Sequence, residues 1–322
     1  MIIVTGANGF IGSAFIWELN RAGTHNILAV DSISASDRPG LLKNARINKF
    51  ILKDQIWHFL KSDDARSVKY IVHMGACSTT TEMDVEFLRE NNTEYTQRLW
   101  QWCTENRIPL IFASSGAIYG DGLQGFSDER DPRNFTALNP YGHSKLVVDQ
   151  WVLQQTQTPP LWYALRFFNV YGPNEYHKGE MASVVFKAAG QIRETLELKL
   201  FKSHNPKFED GKQMRDFVYI KDITRWMLEL TNKNIKSGIY NMGSGTARTW
   251  LDLAQSTFSS MKIPMKIRWI DIPENLRPRY QYYTEANITK LLNNGLSRPE
   301  WSLEKGIEDY VQNYLLKSYS HL

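Results

Sequence analysis

Thr5-Gly6-Ala7-Asn8-Gly9-Phe10-Ile11-Gly12 is the stretch on which the fold turns. It follows an apolar run, Ile2-Ile3-Val4, and leads into an amphipathic segment, so its glycines lie between an expected strand Ile2–Thr5 and an expected helix Ile11–Arg21. A turn at Gly6, Gly9 and Gly12 needs residues without a Cβ. The backbone can then approach a pyrophosphate, and the helix N-terminus offers amide donors and a favourable dipole. The spacing is Gly-x-x-Gly-x-x-Gly, and three glycines can also be plain turn punctuation. Asp31 argues against that blander reading, because it closes the next expected strand, Ile27–Asp31, where a ribose-binding acid belongs. Its carboxylate favours NAD by repelling a 2′-phosphate, whereas Arg38 and Lys53 offer charge that would compensate one. These residues alone do not separate the two cofactors.

Outward from this turn, short apolar runs alternate with helical patterns. Further strands are expected at Tyr70–His73, Leu110–Ala113 and Trp162–Phe167, with helices at Val85–Glu105 and from Tyr141 to about Gln155, stopped by Pro159-Pro160. Such alternation predicts an α/β fold: a Rossmann-like, doubly wound parallel sheet covered on both faces. Beyond residue 170 the texture changes. Met181–Ile192 reads as helix, Ser203–Gln213 as a polar insertion and Lys266–Ile270 as a strand, while Asp216–Ile220 and Ile239–Met242 are expected to return to the sheet. The expected division is a nucleotide-binding domain of residues 1–169 with 216–245, and a smaller, discontinuous α/β substrate-binding domain of 170–215 with 246–322.

Two further motifs carry chemistry. Ser115 follows the expected strand Leu110–Ala113, and Tyr141 and Lys145 stand four residues apart on one helix face, where their side chains can meet. A nearby ammonium lowers a phenol's pKa, so a phenolate becomes available as a base. Lys145 can also hydrogen-bond a nicotinamide ribose, and Ser115 can hold the reacting oxygen. A Tyr-x-x-x-Lys pair recurs by chance on surface helices; the glycine turn and Ser115 ahead of it favour the catalytic reading.

Composition excludes several other classes. The chain has 322 residues, 22% of them charged, with a net charge of +4 and no polybasic run, so nucleic acid is not an expected partner. Its two cysteines, Cys77 and Cys103, lack metal-ligand spacing; neither a disulfide framework nor a metal site is expected, and a reducing compartment fits. No run approaches the roughly 20 apolar residues of a membrane span, and the first residues enter a strand directly, so the expectation is a cytoplasmic protein that does not engage a membrane. Cys77 has no evident base partner, and His73 at a strand end reads as structural.

The motifs together resemble the extended short-chain dehydrogenase/reductases that act on nucleotide sugars, over essentially the whole chain. The resemblance rests on the glycine turn, Ala113-Ser114-Ser115-Gly116-Ala117-Ile118-Tyr119-Gly120, Tyr141-Gly142-His143-Ser144-Lys145, Phe168-Asn169-Val170-Tyr171-Gly172-Pro173 and Arg215-Asp216-Phe217-Val218-Tyr219. Within that group the chain looks most like the ADP-heptose 6-epimerase family. The narrower likeness lies in His73-Met74-Gly75-Ala76-Cys77-Ser78, Asn91-Asn92, His177-Lys178-Gly179, Met181-Ala182-Ser183-Val184 and Arg279-Tyr280-Gln281. The resemblance implies inversion of carbon 6 in ADP-D-glycero-D-manno-heptose, through transient oxidation by bound NADP, with Tyr141 and Lys178 as two acid/base groups and Ser115 and Lys145 in support. It implies cofactor contacts at Gly6, Gly9, Phe10, Ile11, Gly12, Asp31, Ser32, Arg38, Lys53, Gly75, Ala76, Cys77, Ser78, Asn92 and Lys145. Arg38 keeps a positive charge usual in the family and tips the choice to NADP, with NAD as the alternative. Substrate contacts would include Asn169, Val170, Phe201, Lys202, Ser203, His204, Arg215 and Tyr280, together with positions 180 and 187.

At those last two positions the chain departs from the pattern. Lys187 stands where the family usually has a histidine and Glu180 where a small polar residue is common, and 205–213 lengthens the loop before Arg215. The alternatives are another UDP- or dTDP-hexose epimerase, a 4,6-dehydratase, or a non-catalytic NADP sensor. Dehydratases typically carry Asp-Glu where this chain has Gly116-Ala117, and a sensor would tend to lose Tyr141 or Lys145. The resemblance also implies a homo-oligomer, typically a pentamer.

Overall fold

The computed structural model describes residues 1–38, 40–274, 277 and 280–322. Arg279, quoted for the resemblance, and part of the Pro-rich segment 273–278 lie outside them. In chain order the strands are β1 Ile2–Thr5, β2 Ile27–Asp31, β3 Lys49–Leu52, β4 Tyr70–His73, β5 Leu110–Ser115 and β6 Trp162–Phe167. They continue with β7 Asn169–Tyr171, β8 Leu198–Phe201, β9 Met214–Tyr219, β10 Gly238–Met242, β11 Ala247–Thr249 and β12 Ile267–Ile270. Seven of them form one sheet in the order β10-β6-β5-β4-β1-β2-β3, and every pairing in it is parallel.

The apolar runs form this sheet because both of its faces are covered, which parallel strands require. Alternate residues enter separate cores. Val4, Ala29 and Val72 pack with Ala14 and Phe15 of the helix Phe10–Arg21 and Met227 of the helix Ile220–Asn232. Ile3, Leu28 and Ile71 pack with Leu99 and Trp100 of the helix Tyr95–Glu105 and Val148 of the helix Pro140–Val152. β1 lies between β2 and β4, so the strand order reverses there, and a crevice opens beyond Thr5, Asp31 and His73 at the carboxyl ends.

Two expectations are corrected, and one strand is added. Asp216–Ile220 does not return to the main sheet: β9 pairs with β7 and β11 in a separate three-stranded sheet. Only Phe168 separates β6 from β7, and β7 captures β9 in parallel with Asn169 opposite Phe217. Because β9 is buried along almost its whole length, its pattern mimics a central strand. β3 went unread, since only Ile51 of its four residues is buried. The segment read as one helix, Val85–Glu105, contains a π-helical stretch Arg89–Glu94 between helices Val85–Leu88 and Tyr95–Glu105.

β8 and β12 form a two-stranded parallel sheet. Among the described residues no helix is long and apolar enough to cross a membrane, and no cluster of His, Cys, Asp or Glu is suited to a metal. Cys77 and Cys103 are both free thiols.

Candidate active site

One cavity of about 1190 Å³ occupies the crevice. Its floor is the glycine turn. Gly6 has φ +65°, and a Cβ there would come within 2.6 Å of the Gly75 nitrogen; one on Gly12 would strike the Gly6 carbonyl. The helix Phe10–Arg21 begins at Gly9 with no side-chain cap and no acid in its first turn, so its leading amides face the cavity undischarged. This cradle fits a dinucleotide's pyrophosphate.

Asp31 lines the same cavity, its Oδ2 accepting the Asn8 N–H at 2.8 Å and its Oδ1 the Ile33 N–H at 3.1 Å. The Arg38 guanidinium donates to the Asn8 carbonyl at 2.5 Å, and Lys53 bonds Asn91 Oδ1 while sitting 5.3 Å from the Tyr95 ring centroid. Both cations line the cavity, as do Phe10, Ile11, Ser32 and the run Gly75, Ala76, Cys77 and Ser78. Asn92 lies behind them, fully buried in the π-helical stretch, and grips the Cys77 backbone at both its N–H (2.8 Å) and its carbonyl (3.0 Å).

Ser115 ends β5, two residues later than the strand was expected to stop. Asn139 caps the helix Pro140–Val152 by accepting the Gly142 N–H at 2.7 Å, and so aims Tyr141 and Lys145 into the cavity. The expected effect of Lys145 on the phenol is not found. Burial pushes the Tyr141 pKa up, and hydrogen bonding to Ser115 pulls against it. Lys145 instead donates to the Ala113 carbonyl at 3.0 Å, and burial takes its own pKa down to about 8 despite the opposing charge of Asp149.

Lys178 reaches the cavity from a separate element, the turn Tyr176–Met181, with its ammonium 5.2 Å from the Phe10 ring centroid. Burial lowers its pKa, against the pull of Glu175. Glu175 is itself fully buried, accepting from Gly172 N–H, Ser183 N–H and Ser183 O–H at 3.2, 2.6 and 2.7 Å, and thereby folds the turn. His177 beside it also lines the cavity; burial and the charges of Arg38 and Lys178 push its pKa down to about 4, so it is neutral at pH 7.

On the substrate side Asn169 and Val170 line the cavity, with Asn169 Nδ2 donating to the Asp216 carbonyl at 3.2 Å. Arg215 stands just behind the wall: its guanidinium donates to the Met214 and Gln281 carbonyls and lies 5.8 and 5.4 Å from the rings of Trp250 and Tyr280. Tyr280 accepts from Trp250 Nε1 at 3.1 Å. Phe201 packs edge-on to Tyr280, and Lys202, Ser203 and His204 follow it away from the cavity lining. Glu180 and Lys187 are also outside the lining, where they pair with each other at 3.4 Å. The two departures from the family pattern are therefore one local feature.

Phe217, Trp250, Gln281 and Thr284 line the cavity without having been singled out as contacts. Phe217 and Gln281 lay inside quoted motifs and so were within reach. Trp250 carried no signal, because it reads as the first apolar residue of its helix.

Residues 2–243 match the NAD dependent epimerase/dehydratase family. The chain is 45% identical to the ADP-L-glycero-D-manno-heptose-6-epimerase of Fusobacterium nucleatum, with 100% of both chains covered. The crystal structure of the Helicobacter pylori ADP-L-glycero-D-manno-heptose-6-epimerase superposes with a TM-score of 0.80 at 27% identity, over 97% of this chain and 95% of that one. A variant of the Bacillus cereus UDP-glucuronic acid 4-epimerase, solved with UDP-4-deoxy-4-fluoro-glucuronic acid and NAD, gives 0.76 at 25% identity over 97% and 99%.

Proposed function

The chain belongs to the NAD dependent epimerase/dehydratase family, and from that premise we propose that it inverts carbon 6 of ADP-D-glycero-D-manno-heptose to give ADP-L-glycero-D-manno-heptose. One observation carries the reading beyond the family. Tyr141 and Lys178, from different elements, face one cavity with the dinucleotide cradle, and inversion needs a proton carrier for each orientation of the sugar.

The bound nicotinamide supplies the place where hydride is stored between removal and return. The protein's own groups do the rest. Ser115 holds the carbon-6 oxygen and one of Tyr141 and Lys178 takes its proton as the carbon is oxidised. After the ketone turns over, its oxygen points away from the first group, and the other gives that oxygen a proton as the stored hydride would return to the opposite face of the carbon. Lys145 holds the nicotinamide ribose. Burial suits Lys178 to this work, because a lysine with a lowered pKa exchanges protons nearer neutral pH.

The cofactor is a nicotinamide dinucleotide, and we assign it as NADP. Arg38 and Lys53 bring two cations to the side of the cavity that holds Asp31, enough to offset one carboxylate before a 2′-phosphate. On this reading residues 1–169 with 216–245 bind the nucleotide, and 170–215 with 246–322, joined by the sheet that holds β9, bind the sugar. Self-assembly, as a pentamer by the resemblance, and a cytoplasmic setting complete the proposal.

The decisive experiment incubates the purified protein with ADP-D-glycero-D-manno-heptose and follows the carbon-6 configuration by NMR. Inversion with no net reduction or oxidation is the expected result. Conversion of a UDP-hexose in its place would refute the assignment.

A further inference from the structure

His73 is 2% exposed and sits at the end of β4, where it touches two hydroxyls, Thr5 Oγ1 at 2.6 Å from Nδ1 and Thr96 Oγ1 at 3.1 Å from Nε2. The direction of each hydrogen bond is fixed by what lies beyond. Thr96 spends its single hydroxyl proton on the Asn92 carbonyl at 2.6 Å, and a carbonyl can only accept. Thr96 therefore accepts from His73, and Nε2 carries the ring proton. Burial and the charges of Lys145 and Lys53 push the His73 pKa down to about 3, so at neutral pH the ring holds one proton only. Nδ1 is then bare and accepts from the Thr5 O–H. Thr5 Oγ1 in turn accepts the Gly75 N–H at 3.1 Å.

From the Asn92 carbonyl the path passes through that residue's own covalent frame to its side-chain amide. The Asn92 side-chain N–H donates to Ser144 Oγ at 3.0 Å, and Ser144 donates to the Tyr141 carbonyl at 2.7 Å. Along this path the donors run from the Gly75 amide, in the cofactor-facing turn, toward the first turn of the helix that bears the phenol, while the Asn92 amide also donates back to the Cys77 carbonyl. The unbroken run from the Gly75 amide to the Asn92 carbonyl is one of same-direction bonds, which polarise one another in a low-dielectric interior.

We propose that His73 is a positioning residue: locked as its Nε2–H tautomer, it ties the nucleotide turn at Gly75 to the helix of Tyr141 and so sets the placement of the phenol against the cofactor. This rests on the reading of Tyr141 as an acid/base group. Asn92 makes a second, shorter link from the Cys77 backbone to Ser144; the link that reaches Gly75 runs through the imidazole, whose neutral ring has one donor and one acceptor on opposite edges.

Neutron diffraction from deuterium-exchanged crystals of the cofactor-loaded protein places the ring deuteron directly. It is expected on Nε2; a deuteron on Nδ1 overturns the proposal. Kinetics supply the second arm. Thr96→Val removes the acceptor and should lower kcat about tenfold while KM for the sugar moves less than about twofold, because misplacement of the reacting groups taxes the transition state more than binding. Thr96→Ser keeps the hydroxyl and should restore turnover. Wild-type kcat in Thr96→Val, or equal losses in both variants when their melting curves match the wild type, also overturns it. If the wild type turns over no ADP-heptose, the proposed function fails, and the neutron result still decides the state of His73.

Discussion

Lysine 145 and lysine 178 are both drawn down by burial, yet they answer to different tests. Lys178→Ala should cost two to four orders of magnitude in kcat, about 10²–10⁴-fold, as loss of a general acid/base group does, with cofactor retention unchanged. Tyr141→Phe should lose at least as much. For Lys145 the sign of the pH effect can be worked out. The unfolded lysine titrates near 10.4 and the folded one at about 8. Between those values the unfolded chain holds more protons, so stability rises with pH across that window. At pH 7 the buried ammonium is a liability. In cofactor-free protein Lys145→Met should therefore raise Tm by roughly 2 °C, and calorimetry at rising pH should show the gain shrinking toward pH 10.4. At this scale the sequence points to the proposed acid/base groups but not to their electrostatics. Spacing places Lys145 beside Tyr141; only the fold shows its ammonium donating to the Ala113 carbonyl. Likewise His177 served as a flank for Lys178, and only its burial in the cavity wall reveals a neutral ring there.

Elements were legible where one local rule decided them. The glycine turn demanded its conformation, and β1, β2, β4 and β6 appear with the expected bounds, because strands covered on both faces read as near-continuous apolar runs. Where partners decide, the sequence was mute. β9 has the burial of a central strand and joins another sheet, and β3 hides on an edge. The π-helical stretch that presents Asn92 leaves no periodic trace over so few residues. The helix Pro140–Val152 gives a test of how an element aims a side chain. Asn139→Ala removes the cap that accepts the Gly142 N–H and should cost about 1 kcal/mol in a denaturant titration. Activity should drop by more than that stability change explains, since Tyr141 lies in the first turn.

Across the molecule, a buried ion pair joins the helix of Tyr141 to the sheet. Arg166 of β6 and Asp149 of the helix Pro140–Val152 meet at 2.8 Å with both side chains at 0% exposure, and Arg166 also donates to Tyr119, which donates to Asn241 of β10. Removing one partner strands the other charge, so Asp149→Ala should lower the unfolding free energy by about 3–5 kcal/mol, measurable as a shift in denaturation midpoint. A like-sized pair at the surface, Glu180 with Lys187, should contribute under about 1 kcal/mol. A final consequence follows from the single residue, Phe168, that separates β6 from β7. With so short a tether, and β9 bonded alongside, the wall bearing Asn169 is held close to the base bearing Ser115. On the proposed mechanism, so short a tether leaves the pivoting that inversion demands to the guest rather than to this wall.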